Sequence, residues 1–268
     1  MAVVWASGVL SPINAALGTS APLDRGFRDM YNLHFDDAHR TFRSYLTAHP
    51  EDPFGFTADG AAYLFDEFDR LGVLQTELFV DDEKFVGREK PTPDAAIGQR
   101  FNGAIAQSQK LADVVLKRSP EDRNALFATV LNLGLQSDYS AMIEKRNLAS
   151  LAYTKRAGLA AEKLLAIAPD CYDAYLAVGV ENYILGLKPT PVRWLLRLYG
   201  AETNEGVGIQ KLQLTASKGH YLLPFARLLL AVAALRQKNR HEAKDLLESL
   251  AREFPDNRLY RRELSRLQ

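Results

Sequence analysis

From residue 23 onward apolar positions recur three and four apart, and alternating runs of β-branched residues are almost absent. That period predicts helices and no sheet. In the segment 35–46, Phe35, Ala38, Phe42, Tyr45 and Leu46 share one face, while Asp36, Asp37, Arg40, Arg43 and Ser44 fill the other. A helix with one apolar stripe lies on a core. The same spacing predicts helices over 105–118, 125–135, 148–167, 174–185, 207–217, 222–237 and 241–254, closed by a short helix over 259–267. In that last segment Leu259, Leu264 and Leu267 are expected to pack inward and Arg258, Arg261, Arg262 and Arg266 to face water.

The helices repeat in a pattern set by proline. His49-Pro50-Glu51-Asp52, Ser119-Pro120-Glu121-Asp122, Ala168-Pro169-Asp170 and Phe254-Pro255-Asp256-Asn257 each combine a helix-ending proline with residues able to cap the next N-terminus. Twelve residues before each proline stands a small residue, namely Ala38, Ser108, Ala157 and Ala243. Such residues let two helices approach closely and are expected to be buried at crossings. Ten residues after the first three prolines come Gly60, Val130 and Gly179, and Gly26 precedes Gly60 by 34 residues.

On these residues the chain resembles the tetratricopeptide repeat family, whose repeat is about 34 residues long with a small residue in each helix and a terminal proline. The stretches 26–50, 56–63, 175–179 and 231–255 match best. Phe56, Gly60 and Tyr63, and again Tyr175 and Gly179, occupy the places of the family's aromatic, small and tyrosine positions. More narrowly, Tyr172-Asp173-Ala174-Tyr175 and Gly179-Val180-Glu181-Asn182-Tyr183 resemble a group of uncharacterised bacterial tetratricopeptide proteins. The resemblance implies an all-α superhelix of stacked helix pairs, an α-solenoid, whose first helices line a concave side. It implies no reaction.

The proline spacings of 70, 49 and 86 residues are not multiples of that repeat. About 15 extra residues are expected near 136–150 and about 18 near 186–205, as irregular inserts beyond whole repeats. A third irregular stretch, 80–94, shares the tetrapeptide Lys-Pro-Thr-Pro with the insert, at 90–93 and 188–191. Its physical meaning is a loop followed by a helix start. One repeat domain is expected over 22–268. Residues 1–21 form either an N-terminal arm or the remnant of a signal peptide, because the apolar run 2–10 and the small-residue run 15–21 resemble the tail of an export signal while no basic segment precedes them. On the strength of the two runs export or a periplasmic location is favoured, with the cytoplasm as the alternative.

Composition narrows the function classes. Lysine plus arginine and aspartate plus glutamate number 33 each, so no net positive field collects nucleic-acid phosphates, and no nucleic-acid partner is expected. No apolar run is long enough for a transmembrane helix. The lone Cys171 is read as a small buried apolar residue.

Catalytic patterns are missing. His241-Glu242-Ala243-Lys244-Asp245 carries aspartate where a zinc helix needs its second histidine, and Gly206-Val207-Gly208 lacks the third glycine and preceding strand of a dinucleotide loop. His34, His39, His49, His220 and His241 are spread along the chain with no pair three or four apart, so structural or solvated roles are expected. No catalytic residue, metal or cofactor is assigned.

A non-catalytic scaffold that binds a protein or peptide on the concave face is the expectation. The lining would come from Phe54, Thr57, Ala61, Leu64 and Phe65, then Asn124, Phe127 and Leu131, then Asp173, Leu176, Val180 and Tyr183. Arg193 and Trp194 of the insert would stand at its edge. The alternative is a small-molecule binder or enzyme with a pocket around Glu181, Asn182, Tyr183, Arg193 and Trp194. Glu181 and Asn182 would otherwise be structural, paired with Arg193, Arg197 or the segment 136–150.

Overall fold

A computed structural model describes residues 21–73, 87–187 and 204–267. All regular structure among them is helical: α1 (Ala21–Tyr31), α2 (Phe35–Ala48), α3 (Pro53–Arg70), α4 (Ala95–Arg118), α5 (Arg123–Met142), α6 (Asn147–Ile167), a 3-10 turn Tyr172–Ala174 leading into α7 (Tyr175–Gly186), α8 (Glu205–Lys218), α9 (Leu223–Arg236), α10 (Arg240–Glu253) and α11 (Arg258–Arg266). Each helix packs on the next in sequence, and α3 also touches α1 and α5.

The junctions explain the order. Before each of the four motif prolines the helix ends on a residue with φ between −124° and −139°, which still donates to the carbonyl four residues back: His49, Ser119, Ala168 and Phe254. A second bond closes the turn from Asp52, Asp122, Cys171 and Asn257 to the carbonyls of the same four residues. Asp52, Asp122 and Asn257 then cap α3, α5 and α11 through Phe54 N (2.9 Å), Ala125 N (2.8 Å) and Leu259 N (2.9 Å). Asp170 departs from this pattern, for it is exposed, it lies 4.0 Å from Arg123, and no side chain caps the turn that follows. The junctions α1–α2, α5–α6 and α9–α10 share another device, a left-handed residue at Leu33 (φ 65°), Lys145 (57°) and Lys238 (61°), while Gly72 (63°) follows α3. A left-handed residue lets the N–H groups beyond a helix reach back to its last carbonyls.

The small residues behave as expected. Ala38, Ser108, Ala157 and Ala243 are all buried. The 136–150 stretch does not form an irregular insert, because α5 runs on to Met142 and α6 begins at Asn147, so the extra residues are mostly added helical turns. Lys90 to Pro93 is a loop ahead of a helix start, with Asp94 capping α4 through Ala96 N (2.7 Å). Glu67 holds that loop by bonding Arg70 at 2.7 Å and accepting from Asp94 N at 2.7 Å. The second Lys-Pro-Thr-Pro, and the signal-peptide reading of the N-terminal residues before Ala21, lie outside the described residues. No described helix is long and apolar enough to cross a membrane.

One apolar core extends from Leu23 to Tyr260. Its centre is a ring cluster in which Phe27 of α1 meets Phe42 (5.6 Å), Phe54 (5.9 Å) and Tyr221 (4.7 Å), while Phe54 meets Phe127 (5.2 Å) and Tyr221 (5.0 Å). Tyr221 comes from the α8–α9 junction, which has Gly219 where the four motif junctions have proline. There Asp173 accepts from His220 N (2.8 Å), Tyr221 N (3.1 Å) and Leu222 N (3.0 Å). A Cβ on Gly219 would sit 2.6 Å from Asp173 Oδ1, so only glycine leaves room for this cap. The tyrosine is thereby driven against α1, whose Tyr31 hydroxyl donates to Tyr221 O at 2.9 Å.

Further contacts close the chain on itself. His220 pairs with Asp24 (2.6 Å), Asn257 donates to Tyr31 O (2.8 Å), and Arg258 reaches Asp69 (2.6 Å). On α11, Leu259 is buried, Leu264 and Leu267 pack partly against the core, and Arg258, Arg261 and Arg266 are exposed while Arg262 is half-buried.

Two substitutions test this packing by urea denaturation. Tyr221→Ala empties the ring cluster and is expected to cost about 3–5 kcal/mol. Ala243→Leu overfills a closed crossing and should cost about 1–3 kcal/mol. A Tyr221→Ala midpoint equal to the parent's would mean that the chain does not close through this residue.

Candidate binding face

The first helix of each pair turns one face inward. On α5, positions 127, 131, 134 and 138 fall within about 60° of one another at the pitch of a helix. Phe127 points into the ring cluster, which fixes the direction of the whole stripe. Leu131, Gly134 and Asp138 therefore continue it toward the C-terminal end of the helix, and all three are half-buried.

The expected lining divides along this stripe. Phe54, Leu64, Phe127 and Leu176 are buried in the core, so these side chains do not line an open groove, and Ala61 is buried as well. Phe54 is not exposed because Phe27 and Tyr221 cover it, and Phe127 lies against Phe54. Thr57 is buried too, and faces α4 and α5, where it bonds Ser108 (2.8 Å) and Asn132 (2.9 Å) while Asn132 donates to Ser108 (2.8 Å). Asp173 is the buried cap of the 220–222 backbone, not a ligand contact. Asn124 is half-buried and donates to Asp52 at 2.6 Å. Leu131, Val180, Tyr183 and Phe65 are half-buried. Arg193 and Trp194 lie outside the described residues.

The two polar residues of α7 are turned into the fold. Glu181 is buried and its carboxylate lies over Gly158 of α6, where any Cβ would overlap it. Asn182 is buried and donates to Val178 O at 3.1 Å. Neither faces the stripe on α5.

What remains open is the far end of the concave side. Phe65 of α3 meets Phe225 of α9 edge to face at 5.6 Å, and both rings are half-buried. On α5 a Cβ added to Gly134 would meet nothing within 4 Å. Among the described residues, space therefore stands in front of the helix at Gly134.

Asp138 is the polar group of this face. No hydrogen bond or ion pair reaches its carboxyl among the described residues, and burial pushes that carboxyl up to about 7. Sequence reasoning missed it by ending the α5 lining at Leu131. Counting one further heptad position from Leu131 would have found it. Phe225 was missed because the α9 helix was read without a concave face.

Of the other titratable groups, the half-buried Asp66 of α3 also has no hydrogen bond or ion pair among the described residues, and burial raises its carboxyl too. His39 Nδ1 and Asp59 Oδ1 meet at 2.6 Å between α2 and α3, with the imidazole 3.9 Å from the Tyr63 ring. His34 lies 3.7 Å from Asp256 and His241 lies 2.9 Å from Asp245. Among the described residues no three histidines, cysteines or carboxylates converge as metal ligands. Cys171 is buried, and burial pushes its thiol up to about 12.

Compared with known proteins, the chain matches no family model, no curated protein and no solved structure.

The position of Asp138 has a consequence for stability. Its folded pKa lies above the ordinary 3.8, so the protonated carboxyl favours the folded state. That contribution is fully present below the unfolded pKa and is lost as pH rises through about 7. Asp138→Asn removes the titration. Relative to the parent, this variant should gain on the order of 1–3 kcal/mol between about pH 5 and pH 8.5 in urea denaturation. An identical difference at both pH values would place the carboxyl in water.

Proposed function

We propose that this chain is a non-catalytic binding scaffold of the tetratricopeptide type, which holds a protein or peptide partner against the unfilled part of its concave face. The repeat reading is supported by helix pairs that pack in sequence, by four proline junctions of like geometry, and by a small buried residue twelve positions before each. Family membership carries no reaction with it, so the function is argued from the face itself.

The observation that carries the reading is the gap at Gly134. Elsewhere along this side the chain supplies its own filling, as Phe27 and Tyr221 do against Phe54, which in turn meets Phe127. At Gly134 no described residue comes within 4 Å of where a Cβ would stand. Half-buried apolar side chains around such a gap gain from being covered, and a partner's side chain in that space would bury them further. The partner contacts in this proposal are Phe65, Leu131, Gly134, Val180 and Phe225, with Tyr183 at the side.

Gly134→Trp tests the proposal by filling the gap from within. In affinity capture from native extract, the parent should recover a specific partner and the variant should lose it by roughly tenfold or more, the scale of a blocked hot spot. The variant's melting temperature should stay close to the parent's. Equal recovery by both proteins would refute the concave-face reading.

A further inference from the structure

We propose that the open end of the concave face is a receptor for a cationic side chain, lysine or arginine, carried on an apolar peptide segment of the partner, with Asp138 as its counter-charge. This deepens the scaffold reading and rests on it.

Four other inward carboxylates of this chain are given donors: Asp59 has His39 at 2.6 Å, Glu67 has Arg70 at 2.7 Å, Asp173 has three backbone N–H groups within 3.1 Å, and Glu263 has Arg266 at 3.0 Å. Asp138 is given none among the described residues, although burial disfavours its charge. The half-buried Asp66 shares both features, but it lies on α3 beside the charges of His39 and Asp36, away from the α5 stripe. Arg88, which reaches the end of α5, bonds Ala141 O (2.7 Å) and Met142 O (3.0 Å).

Geometry supplies the second half of the case. Asp138 stands one helical turn beyond Gly134 on the same stripe of α5. A chain of methylene groups laid along Leu131 and Gly134, where no described residue comes within 4 Å of a Cβ at Gly134, would carry an ammonium or guanidinium toward the carboxyl. Phe65 and Phe225 on the neighbouring helices offer apolar walls for the residues beside it. In a partly desolvated setting such a pair is screened less than one in water, and the complementary charge also selects against anionic segments. Neutral or acidic segments would leave the carboxyl unsatisfied, which is a cost to binding.

Capped Leu-Ala-Lys-Ala-Leu, its Arg, Gln and Glu counterparts, and free spermidine are the probes, titrated into protein carrying a 13C label at aspartate Cγ. The Lys or Arg peptide should shift the Asp138 Cγ resonance saturably, and the Gln peptide should bind roughly tenfold more weakly or less tightly still, in keeping with the loss of one charge pair. In Asp138→Asn, which is expected to fold, the Lys and Gln peptides should bind alike. The inference is overturned if the parent binds them alike, if no peptide moves the resonance, or if spermidine binds more tightly than the peptides and so makes a free amine the occupant. Capture of the native partner separates the two levels. Loss with Gly134→Trp but not with Asp138→Asn would keep the scaffold and refute the cation receptor, while indifference to both would refute the scaffold itself.

Discussion

Everything in this molecule depends on Tyr221 being pressed against α1. A row of helix pairs has two ends, and each end leaves an apolar face that no neighbour covers. Here the α8–α9 junction places a tyrosine against Phe27 and Phe54, so that rings from the first three pairs share one cluster with the junction between the fourth and fifth. The contact exists because Asp173 ties down three successive backbone N–H groups at the junction. Without that cap the 220–222 backbone would need water, and the ring could not be held inside.

Closure changes what a concave surface can do. Side chains that would face a groove in an open array are consumed by the chain's own interior, while at Gly134 of α5 no described residue fills the space. The gap there is bounded on one side by the core and on the other by a carboxyl without a donor among the described residues. That combination makes this end of the face a better candidate for recognition than the enclosed His39–Asp59 pair, whose Nδ1 and Oδ1 already meet.

The polar groups inside the fold serve alignment. Thr57, Ser108 and Asn132 form a closed set of hydrogen bonds joining α3, α4 and α5, and Ser137 bonds Thr154 at 2.8 Å between α5 and α6. Each bond is satisfied only at one rotation of its helices, so such sets fix which faces turn inward. The stripe from Phe127 to Asp138 owes its direction to them as much as to the rings.

The all-helical pattern and the proline-marked helix ends were legible in the sequence because they rest on local signals. Apolar spacing marks the buried side, proline ends a helix whatever surrounds it, and an aspartate or asparagine beside the next N-terminus caps it. Asp52, Asp122 and Asn257 follow that logic, and Ala38, Ala157 and Ala243 are buried where their spacing placed them. The candidate site was legible only in part. Leu131 and Val180 are half-buried, and no local signal says that Phe54 will be covered by residues 27 and 221. That covering pairs positions almost two hundred residues apart, as the bond from Tyr31 to Tyr221 does. Asp170 and Asp173 show the same limit, for either could cap a helix start by sequence, yet the carboxylate that caps is chosen by which N–H groups the fold brings near it. Periodicity tells which residues point inward. Only the tertiary structure decides whether the space they point into is filled, because that depends on where distant segments of the chain come to rest.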